Sequence, residues 1–165
     1  IRSGATRFYA KYLKNKSKSK TNSFKAMLSN EKRKGFNKLS TLLKYADKVQ
    51  STKKILLDNL KHIKRNGKKI IGYGASGRST TIMNYCGIDN TYLDYVIDDA
   101  PAKHKFYTPG THLKIQPWEH VKKVGYPDYI LILSWAFVDE IMEKRKDFKQ
   151  QGGKFIIPLP EVRIL

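Results

Sequence analysis

A three-layer α/β fold, with a mainly parallel sheet behind a long amphipathic helix, follows from three observations. Leu39, Leu42, Leu43, Ala46, Val49, Leu56, Leu57, Leu60 and Ile63 recur by threes, fours and sevens, one apolar stripe along a single helix. From residue 68 onward short apolar runs alternate with helical stretches, as in a parallel sheet covered on both faces. One of those runs, Tyr129–Leu133, is apolar throughout, as a central parallel strand must be.

In chain order, residues 4–13 read as a short strand rich in aromatics, and Lys14–Asn22 as a polar, mobile Lys/Ser run. Ser23 is placed to cap a helix running to about Arg33, where Gly35 stops it. The long helix ends at Asn66-Gly67. Then come a strand at Lys69–Tyr73, a helix at Ser76–Tyr85, a strand at Tyr95–Ile97 and a third strand at His112–Ile115. A helix from Pro117, the strand Tyr129–Leu133 and a helix at Phe137–Gln151 follow, the last closed by Gly152-Gly153. Lys154–Ile157 is a further strand, and Val162–Leu165 an edge strand after Pro158 and Pro160. This divides the chain into a strand and basic mobile segment (1–21), a helical lead-in (22–67) and the α/β domain (68–165).

The 165 residues carry 33 Lys+Arg against 14 Asp+Glu, a net charge of +19, and the excess is uneven. Residues 1–69 hold 21 basic side chains against Glu31, Asp47 and Asp58, whereas the remainder is close to neutral. Nucleic-acid binding through this basic part is disfavoured, because it is mostly Lys with few aromatics to stack bases. A 40% hydrophobic content excludes wholesale disorder. A lone Cys86 excludes a disulfide framework or cysteine-cluster zinc site and suits a cytoplasmic protein. No apolar run approaches the ~18 residues of a membrane span. The chain opens on Ile1, as expected of a piece of a longer protein.

The sharpest motif is Gly72-Tyr73-Gly74-Ala75-Ser76-Gly77, set where a strand ends and a helix begins. Glycines there let the backbone turn tightly and let a phosphate approach the helix N-terminus, where free N–H groups and the dipole favour an anion. Gly74 is expected to face the phosphates most closely, and Arg78 to add a charged contact. Asp98 ends the next strand, where an acceptor for a ribose hydroxyl stands in dinucleotide-binding folds. Gly110 and His112 belong to a turn near the same sheet edge, with His112 either a phosphate donor or a hydrogen-bonded turn residue. Ser134 and Trp135 follow the central strand, and Trp135 would wall a pocket or cover a helix start. His62 and His104 read as surface residues. No metal site and no second glycine motif for a methyl donor is expected.

The stretch 72–88, Gly-Tyr-Gly-Ala-Ser-Gly-Arg-Ser-Thr-Thr-Ile-Met-Asn-Tyr-Cys-Gly-Ile, resembles the start of the C-terminal domain of SAM-dependent sugar C-methyltransferases. The resemblance continues in 96–103, 107–115, 127–135, 139–141 and 152–160, and Ser3–Tyr9 is similar to the strand closing that family's methyl-donor domain. It implies a Rossmann-like domain that helps hold a dTDP-linked keto-deoxysugar. It also implies an upstream or separate catalytic portion that binds S-adenosylmethionine (SAM) and carries the His and Glu groups of catalysis. In that chemistry a proton leaves the carbon beside the keto group and the enolate takes the methyl. No cofactor is expected on this chain itself, which would bind substrate but transfer no methyl alone. Where the family commonly has Ala-Lys-Gly, this chain has Gly77-Arg78-Ser79, which keeps a cation; where it has Trp-Asn, Trp135-Ala136 removes an amide. Two other readings stay open: an NAD-type dinucleotide module, favoured by the glycines and Asp98, and a nucleic-acid-binding protein, favoured only by residues 1–69.

Overall fold

The computed structural model describes residues 21–165 together with Arg7, Tyr9, Ala10, Tyr12 and Lys14. The expected strand at 4–13 and polar run at 14–22 otherwise lie outside the described residues. Two compact units are present, Ile1–Gln50 and Ser51–Leu165.

In the first unit, α1 (Asn22–Arg33) is capped by Thr21, whose hydroxyl accepts from the Phe24 N–H at 3.2 Å. The expected cap, Ser23, lies inside the helix, because the threonine two residues earlier already supplies the acceptor. Gly35 takes the left-handed conformation (φ +71°) that ends this helix, and Phe36 N–H closes back on the Glu31 carbonyl. The long helix α2 (Leu39–Arg65) starts here and keeps its first twelve residues in this unit.

The second unit is a three-layer domain. Its strands are β1 (Ile70–Tyr73), β2 (Val96–Ile97), β3 (Ile115–Gln116), β4 (Tyr129–Ile132), β5 (Lys154–Ile157) and β6 (Arg163–Ile164). They form one sheet in the order β3-β2-β1-β4-β5-β6, parallel except for β6 against β5. Period-two alternation sends neighbouring residues to opposite faces. Ile70, Val96, Leu131 and Ile156 meet Leu56, Leu60 and Ile63 of α2 and Met83 and Cys86 of α3 (Gly77–Cys86). Ile71, Ile97, Ile130, Ile132 and Phe155 instead meet α4 (Trp118–Val124), α5 (Val138–Lys144) and α6 (Lys146–Gln150) through Trp118, Val121, Ile141 and Phe148. Burying each such side chain contributes about 1.5–3 kcal/mol, so this two-sided packing dominates the stability of the unit. Among the described residues no helix is long and apolar enough to cross a membrane.

Two expectations are corrected. The third strand is Ile115–Gln116, because His112, at φ +51°, sits in a turn in which the Thr108 hydroxyl accepts from Leu113 N–H at 2.9 Å. The expected helix over Phe137–Gln151 is a 3-10 turn at Trp135–Phe137, then α5 and α6 separated by Arg145. Arg145 leaves helical geometry (φ −114°, ψ 36°) and its side chain is buried beneath the sheet edge, bonded to Tyr73.

Candidate functional site

At its carboxyl edge β1 runs through Tyr73 and Gly74 into the loop Gly74–Ser76 and then α3. Two of the motif glycines, Gly72 in β1 and Gly74 in the loop, are there for packing. A Cβ at Gly72 would stand 2.8 Å from Leu133 Cδ1 and 3.1 Å from Val96 Cγ2. A Cβ at Gly74, where φ is +100°, would land on the Ser134 hydroxyl. The close approach expected at Gly74 is therefore taken by Ser134. Gly77 differs, since a Cβ there would meet nothing within 4 Å.

Helix α3 opens with a reciprocal cap in which Ser79 N–H donates to Ser76 Oγ (3.3 Å) and Ser76 N–H donates to Ser79 Oγ (3.2 Å). The next two N–H groups, of Gly77 and Arg78, take no partner among the described residues. Beside them the Arg78 guanidinium stands over the Trp135 ring, 5.9 Å from its centre. Open space, two backbone donors, a helix N-terminus and an exposed cation share one spot.

Asp98, 8% exposed, ties this loop to the end of β2. Its carboxylate accepts from Ala75 N–H (2.7 Å), Ala100 N–H (2.9 Å) and the Lys103 ammonium (2.9 Å). His104 is no bare surface residue, since its Nε2 lies 2.8 Å from the Asp98 carbonyl.

Between β1 and β4, where the sheet order reverses, lies a cleft of about 440 Å³ lined by Tyr73, Gly74, Asp98, Asp99, Ser134, Phe137, Glu140, Ile141 and Lys144. Open α/β sheets bind ligands at such a point. The cleft rests on a network that the sequence did not reveal. Arg145 donates to the Tyr73 hydroxyl from Nε (3.1 Å) and Nη2 (2.7 Å), and from Nη2 to Asp99 Oδ1 (2.7 Å). Tyr73 in turn donates to Asp99 Oδ2 at 2.8 Å, and Lys144 pairs with the same oxygen at 2.8 Å. The guanidinium also lies 4.3 Å from the centre of the Trp118 ring. Burial raises the Tyr73 phenol well above its usual value, and its bond to Asp99 adds to the rise. Burial works against ionised Asp99, yet hydrogen bonds from Lys144 and Tyr73 and the Arg145 charge hold its carboxyl below the usual range.

Of the expected site residues, Tyr73, Gly74, Asp98 and Ser134 line the cleft, Ala75, Ser76, Gly77 and Arg78 form the adjoining loop and helix start, Trp135 lies in the turn after β4 beneath the Arg78 side chain, and Gly72 is packed within β1. Gly110 and His112 lie elsewhere. Their turn packs on Asn84, whose amide donates to the Pro109 carbonyl (3.1 Å), two turns along α3 from its start. Asp99, Lys144 and Arg145 were missed, although the Asp98-Asp99 pair ending a strand was a usable signal. Among the described residues no cluster of His, Cys, Asp and Glu is arranged to hold a metal ion.

A sheet reversing at β1, a glycine loop entering a helix and a cleft at the reversal define a Rossmann-like domain. The chain belongs to the family described as the C-methyltransferase C-terminal domain, whose profile matches residues 1–160. It is similar to the C-methyltransferase NovU of Streptomyces niveus, 29% identical over 140 residues that cover 84% of this chain and 33% of that protein. The chain thus spans about a third of the length of this curated relative.

Proposed function

We propose that the chain is the nucleotide-sugar-binding portion of a cytoplasmic, SAM-dependent sugar C-methyltransferase, taking a dTDP-sugar or similar ligand. The observation that carries this reading is the open start of α3 beside the cleft. There the Gly77 and Arg78 N–H groups, with the Arg78 side chain, suit a diphosphate, and the adjoining cleft offers carboxylates and an ammonium to neutral hydroxyl groups. Trp135, held by Arg78, walls the approach. SAM and the groups that move protons would belong to another portion of the enzyme. A dinucleotide module is less well supported, because Asp98, which would accept from a ribose hydroxyl, already accepts from Ala75, Ala100 and Lys103.

Calorimetric titration with a dTDP-sugar, NAD and an oligonucleotide, each at two salt concentrations, tests the reading. The dTDP-sugar should bind with modest salt dependence, since about two phosphate charges are involved, whereas any oligonucleotide binding should collapse with salt. Tighter binding of NAD than of the dTDP-sugar overturns it.

A further inference from the structure

We propose that Asn66-Gly67, at the end of α2, is a site of spontaneous covalent modification, in which the Asn66 amide is converted to aspartate and isoaspartate with His62 as proton donor to the leaving nitrogen. Of the eight asparagines in the sequence, Asn66 alone precedes a glycine, and a glycine leaves its own backbone nitrogen unshielded by a side chain. His62, Asn66 and Gly67 are all exposed. A Cβ at Gly67 would meet nothing within 4 Å, so no neighbour obstructs rotation of this peptide toward the Asn66 side chain. The Gly67 N–H donates to the Lys64 carbonyl at 3.0 Å and the Asn66 N–H to the His62 carbonyl at 3.2 Å. These are the last bonds of a helix end, which fraying opens at small cost. One turn back, His62 Nε2 lies 3.2 Å from Asn66 Nδ2, a contact made by the four-residue spacing along α2. Nδ2 is the atom that must leave.

The steps balance with water alone. The Gly67 nitrogen attacks Asn66 Cγ, forming an N–C bond, and its proton passes to solvent. In the tetrahedral adduct Nδ2 has become an amine, and it takes a proton from the imidazolium form of His62. The Cγ–Nδ2 bond then breaks, ammonia departs with the bonding pair, a succinimide remains, and the ring regains its proton from water. A second water opens the succinimide at either carbonyl, giving aspartate or isoaspartate. Isoaspartate places one additional backbone carbon between Ile63 and Ile70, which are buried in the same core. It also displaces the two bonds that close α2, from Gly67 N–H to the Lys64 carbonyl and from Lys68 N–H to the Ile63 carbonyl.

The test incubates the purified chain at neutral pH in water labelled with heavy oxygen, unchanged and as His62→Gln, both folded and in concentrated urea. Peptide mass spectrometry then follows each asparagine. In the folded chain Asn66 should gain label several-fold faster than Asn30, Asn37 or Asn84, whose following residues carry side chains. His62→Gln should slow Asn66 by roughly tenfold or more and leave the other asparagines as they were. In urea the two forms should convert Asn66 at one rate, because the unfolded chain no longer holds residue 62 against residue 66. The aged unchanged chain should unfold at a lower urea midpoint than the fresh one, whereas Asn66→Gln, aged in parallel, should keep its midpoint. Conversion of Asn66 no faster than that of the other asparagines overturns the inference. Equal rates in the folded unchanged and His62→Gln chains overturn it too, as does a slowing by His62→Gln that persists in urea.

Discussion

Tyr73 and Arg145, 72 residues apart in sequence, meet through two hydrogen bonds that join the end of the first strand to the break between α5 and α6. Arg145 is 7% exposed, so its charge is tolerable only because Tyr73, Asp99 and the Trp118 ring surround it.

Replacing Arg145 by methionine should therefore destabilise the domain by about 2–3 kcal/mol, less than for a fully buried pair because Asp99 keeps Lys144 and faces solvent. Urea denaturation measures this, and an unchanged midpoint would show that the network is decoration.

Gly74→Ala should cost about 2–4 kcal/mol, combining collision with Ser134 and a positive φ. Adding Ser134→Gly should restore the collision component and leave the backbone component. If the double variant is no more stable than Gly74→Ala, Ser134 is not what demands a glycine there.

Asp98→Asn should lower stability by roughly 1.5–3 kcal/mol, because the amide NH₂ must face either the Ala100 N–H or both the Ala75 N–H and the Lys103 ammonium where the carboxylate accepted. Binding of a dTDP-sugar should fall with it as the loop loosens. Arg78→Ala, at an exposed position, should weaken binding by about tenfold and leave the urea midpoint unchanged. Equal loss of stability in both variants would contradict this division of labour.

Acid should report on Asp99. A carboxylate whose folded pKa lies below its unfolded value adds stability that is complete above the unfolded value and is lost as pH falls through the folded one. Stability should fall on acidification below about pH 5, and Asp99→Asn should flatten part of that decline. Asp58, Asp89, Asp128 and Asp147, also held low, keep the rest. Parallel curves of urea midpoint against pH for the two proteins would refute the assignment.

The backbone plan was legible where local chemistry decides it. The leucine spacing gives α2, the apolar run gives β4, and the glycines with Ser76 give the β1–α3 turn. The break at Arg145 was not legible, because the helical period of 137–151 carries straight through it and only a partner 72 residues away draws that side chain out of register. Asp98 could be placed at the site from its position after β2, yet its partners are mostly backbone N–H groups, which residue identity does not reveal. Gly74 and Gly77 look alike in sequence. Only the third dimension shows one filled by Ser134 and the other open.

The sheet order has a consequence for synthesis. β1 pairs with β4, whose last residue is made some 59 residues after Tyr73. At about 5–20 residues per second on the ribosome, Ile70 and Ile71 wait roughly 3–12 s for that neighbour. Throughout that interval one edge of the nascent strand is a sticky template, and the first half of the cleft exists without its opposite wall.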